Sequence, residues 1–196
     1  TQNSMKAKHY FDPDPKIKKG LLQLNKKKDF IVLEKELEKQ IIDFPNSSFL
    51  HNLKGACLSN QNRLEESIHS FNLSLKSAKN PAVILNNIGV IQIKLNQFED
   101  SLESFNKAIR HKPDYAEPYF NLGNALRKLE RIKDAVDSYE TACQINPLYA
   151  KAFLYKSLSL KNLGKFEDSI ISSKEAIKLK PDYGIAHRHL SSMLTY

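Results

Sequence analysis

Gly55, Gly89 and Gly123 lie 34 residues apart, and other residue types keep the same interval. Taking each glycine as place 8 of a 34-residue unit divides the chain without insertions. The units are 14–47, 48–81, 82–115, 116–149 and 150–183, between a tail, 1–13, and a C-terminal segment, 184–196. A unit this short cannot bury a core alone, so neighbouring units must stack.

The register holds at further places. Place 8 continues as Ser157 and Ser191. Place 20 reads Ser67, Ser101, Ala135 and Ser169, and place 27 reads Ser74, Ala108, Ala142 and Ala176. Bulky residues recur at place 24 (Leu37, Phe71, Phe105, Tyr139, then Ser173) and at place 17 (Phe30, Leu64, Phe98, Ile132, Phe166). Small and large residues at fixed offsets are what interdigitating helices require.

Within a unit the apolar period is helical, as at Leu85, Ile88, Ile91 and Leu95. Asn62, Asn96 and Gly164 at place 15 tolerate the left-handed conformation that ends a helix, and Glu130 departs from this. Glu65-Glu66, Glu99-Asp100 and Glu167-Asp168 open the second helices, where acids meet the positive end of the helix dipole. Pro113, Pro147 and Pro181 close units; in 48–81, Lys79 takes that place and Pro81 follows two residues later. The spacing predicts an all-α chain.

These residues resemble the tetratricopeptide repeat family over 14–183. The pattern is clearest in 82–183 and weakest in 14–47, where Leu21 and Leu33 occupy places that are small elsewhere. The resemblance implies a right-handed α-solenoid of antiparallel helix pairs, with about five repeats plus a C-terminal helix. That last helix reads as the first of a sixth repeat, with His187, Leu190, Ser191 and Leu194 packing on 150–183 and Ile185, Met193 and Tyr196 around it. It is expected to be a seam rather than a lid.

Charge and cysteines narrow the setting. The chain carries a net charge of +8, from 25 Lys and 5 Arg against 22 acids. Lysines such as Lys26-Lys27-Lys28, Lys178 and Lys180 scatter over several faces with no aromatic stacking platform, which argues against nucleic acid as the partner. No apolar run approaches the roughly 20 residues of a membrane-spanning helix, so no membrane partner is expected. The opening stretch TQNSMKAKHYFDPDP has no apolar core of a signal peptide. Cys57 and Cys143 suggest no disulfide framework, and a cytoplasmic setting is expected. The oligomeric state stays open.

No catalytic constellation, cofactor loop or metal-ligand set is evident. His187 and Ser191 share a helical spacing, but they occupy places 4 and 8, which serve packing in other units. The chain is therefore not expected to be an enzyme.

The resemblance implies that first helices line a concave groove. Carried onto this sequence, the candidate peptide-binding residues are Asn86, Asn87, Val90, Lys94, Phe120, Asn121, Asn124, Arg127, Lys128, Lys151, Tyr155 and Lys161. An apolar patch (Phe49, Val83, Val90, Ile93, Phe120) precedes a polar and basic one. Asparagine sits poorly inside helices, yet four crowd the two groove faces, where their amides suit an extended backbone. Asn87 and Asn121 resemble two rungs of the asparagine ladder of O-GlcNAc transferase superhelices. The lysine of the chaperone-type carboxylate clamp is missing from the pairs Asn52/Ala56, Asn86/Val90 and Phe120/Asn124, so that clamp is not expected.

The function expected is a protein-interaction scaffold for a protein or peptide, acidic or amphipathic. The alternative is a substrate-recruiting arm of a larger transferase, since AHRHLSSMLTY resembles the junction of bacterial repeat–sulfotransferase proteins and similar arrays precede O-GlcNAc-transferase-type domains.

Overall fold

In the computed structural model, residues 12–194 are described; the tail up to residue 11, and Tyr196, lie outside them. Among the described residues there are α-helices and no strands. In order they are α1 (Pro15–Lys27), α2 (Phe30–Asp43), α3 (Ser48–Asn60), α4 (Leu64–Leu75), α5 (Ala82–Lys94), α6 (Phe98–His111), α7 (Ala116–Lys128), α8 (Ile132–Ile145), α9 (Ala150–Asn162), α10 (Phe166–Leu179) and α11 (Gly184–Leu194). The chain divides into two compact halves at Asn87/Ile88.

Each first helix turns into its partner through one left-handed residue: Lys28, Asn62, Asn96, Glu130 or Gly164, with φ of 61°, 61°, 60°, 59° and 72°. The residue after it donates its N–H back across the turn. Arg63 reaches the Leu58 carbonyl at 3.0 Å and Arg131 reaches Leu126 at 2.9 Å. This bond closes a helix C-terminus in the manner of a Schellman turn. Lys28 and Glu130 adopt the left-handed conformation despite their side chains. The packing of the following helix therefore sets the turn, and asparagine and glycine only ease it.

In the N-terminal half, α1 packs on α2, α2 on α3 and α3 on α4. Side chains cap the starts: Asp14 accepts from the Lys16 N–H (2.7 Å) and Ser47 from the Leu50 N–H (3.2 Å). Leu21, Leu33, Leu37, Leu50, Leu53 and Cys57 form the core. The first pair packs less extensively than α3 and α4 do, with Leu21 and Leu33 at places that hold small residues elsewhere. Arg63 joins Glu34 of α2 to Glu66 of α4, at 2.6 Å each.

In the C-terminal half, the helices pack consecutively from α6 to α11. Its core comprises Phe120, Leu126, Ala135, Tyr139, Ala142, Cys143 and Ala152, followed by Leu154, Ala176 and Ala186. Helix pairs approach most closely at place 8. A Cβ built on Gly123 would lie 2.6 Å from Tyr139 Cε1, and one on Gly55 would lie 2.7 Å from the Phe71 ring, so only glycine admits the facing ring.

The last helix departs from expectation. Helix α11 buries Ala186, His189 and Met193, whereas His187, Ser191 and Leu194 are exposed. Its contact with α10 uses the face that a first helix turns to the preceding repeat. The other face, which place 8 marks in the complete pairs, has no second helix on it among the described residues. His187 has a local role instead: its Nε2 lies 2.7 Å from the Pro181 carbonyl, matching His51 and the Pro45 carbonyl at 2.8 Å. No helix among the described residues is long and apolar enough to cross a membrane.

Candidate functional site

The site forms in the C-terminal half, on the first helices α7 and α9. Ridges of α7 present Asn124, Arg127 and Lys128, and α9 presents Lys151 and Tyr155. At its base is an aromatic cluster. Phe120 meets Tyr155 edge-on with centroids 5.4 Å apart at 80°, Tyr149 at 5.1 Å and Tyr139 at 5.7 Å. Such tilted contacts place the positive ring edge against the negative face.

Two cations sit over this cluster. Lys151 Nζ lies 5.2 Å from the Phe120 centroid and 5.9 Å from that of Tyr155, and the Arg127 guanidinium carbon lies 5.4 Å from the Tyr155 centroid. Each contact contributes about 0.5–1 kcal/mol at a partly exposed site. Tyr155 therefore holds two positive groups close together. Among the described residues, Arg127, Lys128 and Lys151 form no ion pair. The shielded Nε of Arg127 has no hydrogen-bond partner. Between these groups lies a cleft of about 520 Å³ lined by Asn124, Arg127, Lys128, Glu130 and Tyr155.

The aromatic floor is neutral. Burial pushes the Tyr139 hydroxyl well above its ordinary range, with Arg127 pulling the other way, and burial beside Glu117 pushes Tyr149 up to about 12. The Tyr139 hydroxyl donates to Asn124 Oδ1 at 2.8 Å, which orients the asparagine amide in the cleft. The arrangement can hold an anionic side chain while excluding water below it. Burial also pushes the Cys143 thiol up to about 12, so at neutral pH it is a packing residue and no thiolate.

The structure distributes the sequence candidates unevenly. Asn124, Arg127, Lys128, Lys151 and Tyr155 come together. Phe120 is 3% exposed and supports the cleft from beneath instead of lining it. Asn121 and Val90 are half-buried, and Lys94 is exposed at the end of α5. Lys161 donates to Ser192 Oγ of α11 at 3.0 Å and so holds the last helix. Asn86 and Asn87 belong to the N-terminal half, where Asn86 is 4% exposed and has no surface to offer a peptide. Sequence reading missed Tyr139, Tyr149 and Glu130. Tyr139 stands where three units carry Leu or Phe, and a phenol hydroxyl among those apolar side chains was the available signal.

Comparison with known proteins follows this geometry. Sequence profiles described as TPR repeat and tetratricopeptide repeat match residues 89–129, 116–149 and 150–183. No curated protein sequence matches. Among solved structures, MamA from Desulfovibrio magneticus RS-1 superposes with a TM-score of 0.74 at 14% identity, covering 86% of this chain and 95% of that one. YrrB, titled a TPR protein with an unusual peptide-binding site, has a TM-score of 0.69 at 17% identity, covering 91% of both chains. The first TPR of Spaghetti (RPAP3), bound to the HSP90 peptide SRMEEVD, has a TM-score of 0.57 at 19% identity, covering 58% of this chain and 90% of that one. At these identities the likeness is one of fold.

Proposed function

The chain belongs to the tetratricopeptide repeat family, and from that premise we propose that it is a protein-interaction scaffold whose α7–α9 surface binds an acidic segment of a partner protein. The observation that carries this reading is the pair of unneutralised cations, Arg127 and Lys151, held over Tyr155 beside an open cleft. A carboxylate entering there meets the Arg127 guanidinium, the Lys128 ammonium and the fixed Asn124 amide. That two structural neighbours are described by their peptide sites or peptides supports the same class of partner. Hydrogen bonds to charged groups contribute about 1.5–3 kcal/mol each, and micromolar binding requires about 8 kcal/mol. Three or four such contacts, less the cost of ordering a peptide, give micromolar affinity.

The test is selection from a random peptide library on the wild-type chain, followed by titration of the selected peptides against Arg127→Ala/Lys151→Ala. Acidic peptides that lose about tenfold or more on the variant are expected. Selected peptides that are not acidic, or that bind both proteins alike, would sink the assignment.

The likeness of AHRHLSSMLTY to a repeat–sulfotransferase junction favours a second reading, in which the repeats recruit substrates for a transferase domain in the same protein. Its test is the reading frame beyond Tyr196: a sulfotransferase or O-GlcNAc-transferase-type domain there is the expected result, and a stop codon removes the reading.

A further inference from the structure

Helix α2 turns Leu33, Leu37 and Gln40 into the core, and its opposite face is exposed. That outward face carries Ile31, Lys35, Glu38 and Ile42. Ile31 is 69% exposed and Ile42 81%. The repeat supplies the control. The place of Ile31 holds Glu65, Glu99, Lys133 and Glu167 in the other units, and that of Ile42 holds Lys76, Arg110, Gln144 and Lys178. Each of these residues is exposed as well. A second helix thus turns both places to solvent, and α2 alone fills them with isoleucine. Single exposed apolar residues are ordinary, but two on one face, at places that are polar in every other unit, mark an interaction surface.

Spacing and charge say what fits there. Ile31, Lys35, Glu38 and Ile42 follow intervals of four, three and four, the spacing of the a and d positions along a helix seam. Their order is its own complement when reversed. Lay a second α2 antiparallel on the first, about a two-fold axis between Glu36 and Leu37. Ile31 then meets Ile42 of the second copy, Lys35 meets Glu38, and both contacts repeat with the copies exchanged. The isoleucines of one copy stand about 16 Å apart along the helix and bracket the two ion pairs. In no other unit do the places of Lys35 and Glu38 carry opposite charges: they hold His69 and Asn72, Glu103 and Asn106, Asp137 and Glu140, Ile171 and Lys174. Among the described residues Lys35 forms no ion pair. Lys54 holds Glu38 at 3.3 Å, yet the Glu38 side chain stays 57% exposed and can accept a second ammonium. A purely acidic or basic partner would leave one of these charges unmatched, whereas a second α2 matches both.

We propose that the outward face of α2 is a self-association surface, through which two copies of this chain pair antiparallel with Ile31 against Ile42 and Lys35 against Glu38. This goes beyond the scaffold reading and does not depend on it, because the face belongs to a second helix and the acidic-peptide cleft to first helices. One helix pair buries less than the roughly 800 Å² per partner of a standard interface. The net charge of +8 also repels the copies, less so at about 0.15 M salt, where long-range repulsion is screened. The dimer is accordingly weak, with a Kd of about 10 μM to 1 mM.

The experiment is sedimentation equilibrium of the full chain, loaded at about 10 μM to 1 mM in about 0.15 M salt. A reversible monomer–dimer equilibrium is expected. Ile42→Glu, at an exposed position where helicity by circular dichroism should persist, should weaken it at least about tenfold. Lys35→Glu sets a carboxylate against Glu38 at both contacts, and Glu38→Lys sets an ammonium against Lys35. Each variant alone should keep its helicity and associate about tenfold or more weakly. Mixed in equal amounts, these two variants should form a heterodimer about as tight as the wild-type dimer, because every cross-chain pair then has opposite signs. A parallel pairing, which sets Lys35 against Lys35, does not predict that recovery. A chain that stays monomeric over the whole range, a dimer untouched by Ile42→Glu, or charge variants that fail to recover on mixing would each overturn the proposal. Arg127→Ala/Lys151→Ala should leave the association unchanged, so failure of this surface and failure of the α7–α9 site are separate results.

Discussion

The pairs α7–α8 and α9–α10 meet at the same repeat places by opposite means. In the first, Gly123 has no side chain and the Tyr139 ring lies against its backbone. In the second, both positions are serine. Ser157 Oγ lies 2.6 Å from Ser173 Oγ and donates to the Ser169 carbonyl at 2.7 Å, and Ser169 Oγ returns the bond to the Ser157 carbonyl at 2.8 Å. The glycine–aromatic contact gains dispersion and apolar burial. The serine pair gives that up for a hydroxyl network, which extends to α11 through Ser169, 3.4 Å from His189 Nε2 and 3.0 Å from Met193 Sδ. The repeat keeps the close approach of the two helices, and the side chains at the contact are interchangeable only in matched pairs.

The strongest way to break the contrast is Gly123→Ala, which forces a Cβ into the Tyr139 ring. Overpacking of this kind costs about 1–3 kcal/mol, read as a lower chemical-denaturation midpoint. Nearly as large, Ser173→Tyr should destabilise α9–α10 by a similar amount, because Ser157 occupies the space the ring needs. Adding Ser157→Gly should recover at least half of that loss, a coupling of about 0.5–3 kcal/mol in a double-mutant cycle. No recovery would mean that volume matching does not govern the pair. Tyr139→Phe removes only the hydrogen bond to Asn124 and should cost about 1 kcal/mol in a melt, with weaker acidic-peptide binding because the amide loses its anchor.

The smallest effect concerns pH and the serine network. Burial, with the charge of Lys161 second, lowers the pKa of His189 below its ordinary 6.5. The folded state thus holds the neutral ring. Its contribution to docking α11 is complete above the ordinary value and declines as pH falls through the lowered one. Hydrogen exchange should show α11 amides less protected at pH 5 than at pH 7.5, and His189→Asn should flatten that difference. His187, exposed and already bonded to the Pro181 carbonyl, serves as the control.

Much of the helix-pair pattern is legible in the residues. Gly55, Gly89 and Gly123 face rings at places where only glycine fits, so their spacing carries the fold directly. The candidate site is less legible, because place alone says which helix face a residue occupies and not how deep it lies. Asn86 and Phe120 occupy nominal groove places, as Asn124 does, yet both are buried. The roles of Tyr139 and Tyr149 depend on partners across neighbouring helices, which a periodic pattern does not identify. The packing of α11 was misread for a related reason. A first helix has two apolar faces, one for the preceding repeat and one for its own second helix. Sequence shows both, and only assembly shows which is filled.

By itself, the sequence determined that this chain is built of helix pairs, where they close on one another and which places must stay small, because periodic sterics are written in side-chain volume. Tertiary structure alone decided that Arg127 and Lys151 share one ring, that Asn52 keeps an unanswered acceptor and that His189 goes inside. Those outcomes depend on distances between helices, which no single stretch of the chain contains.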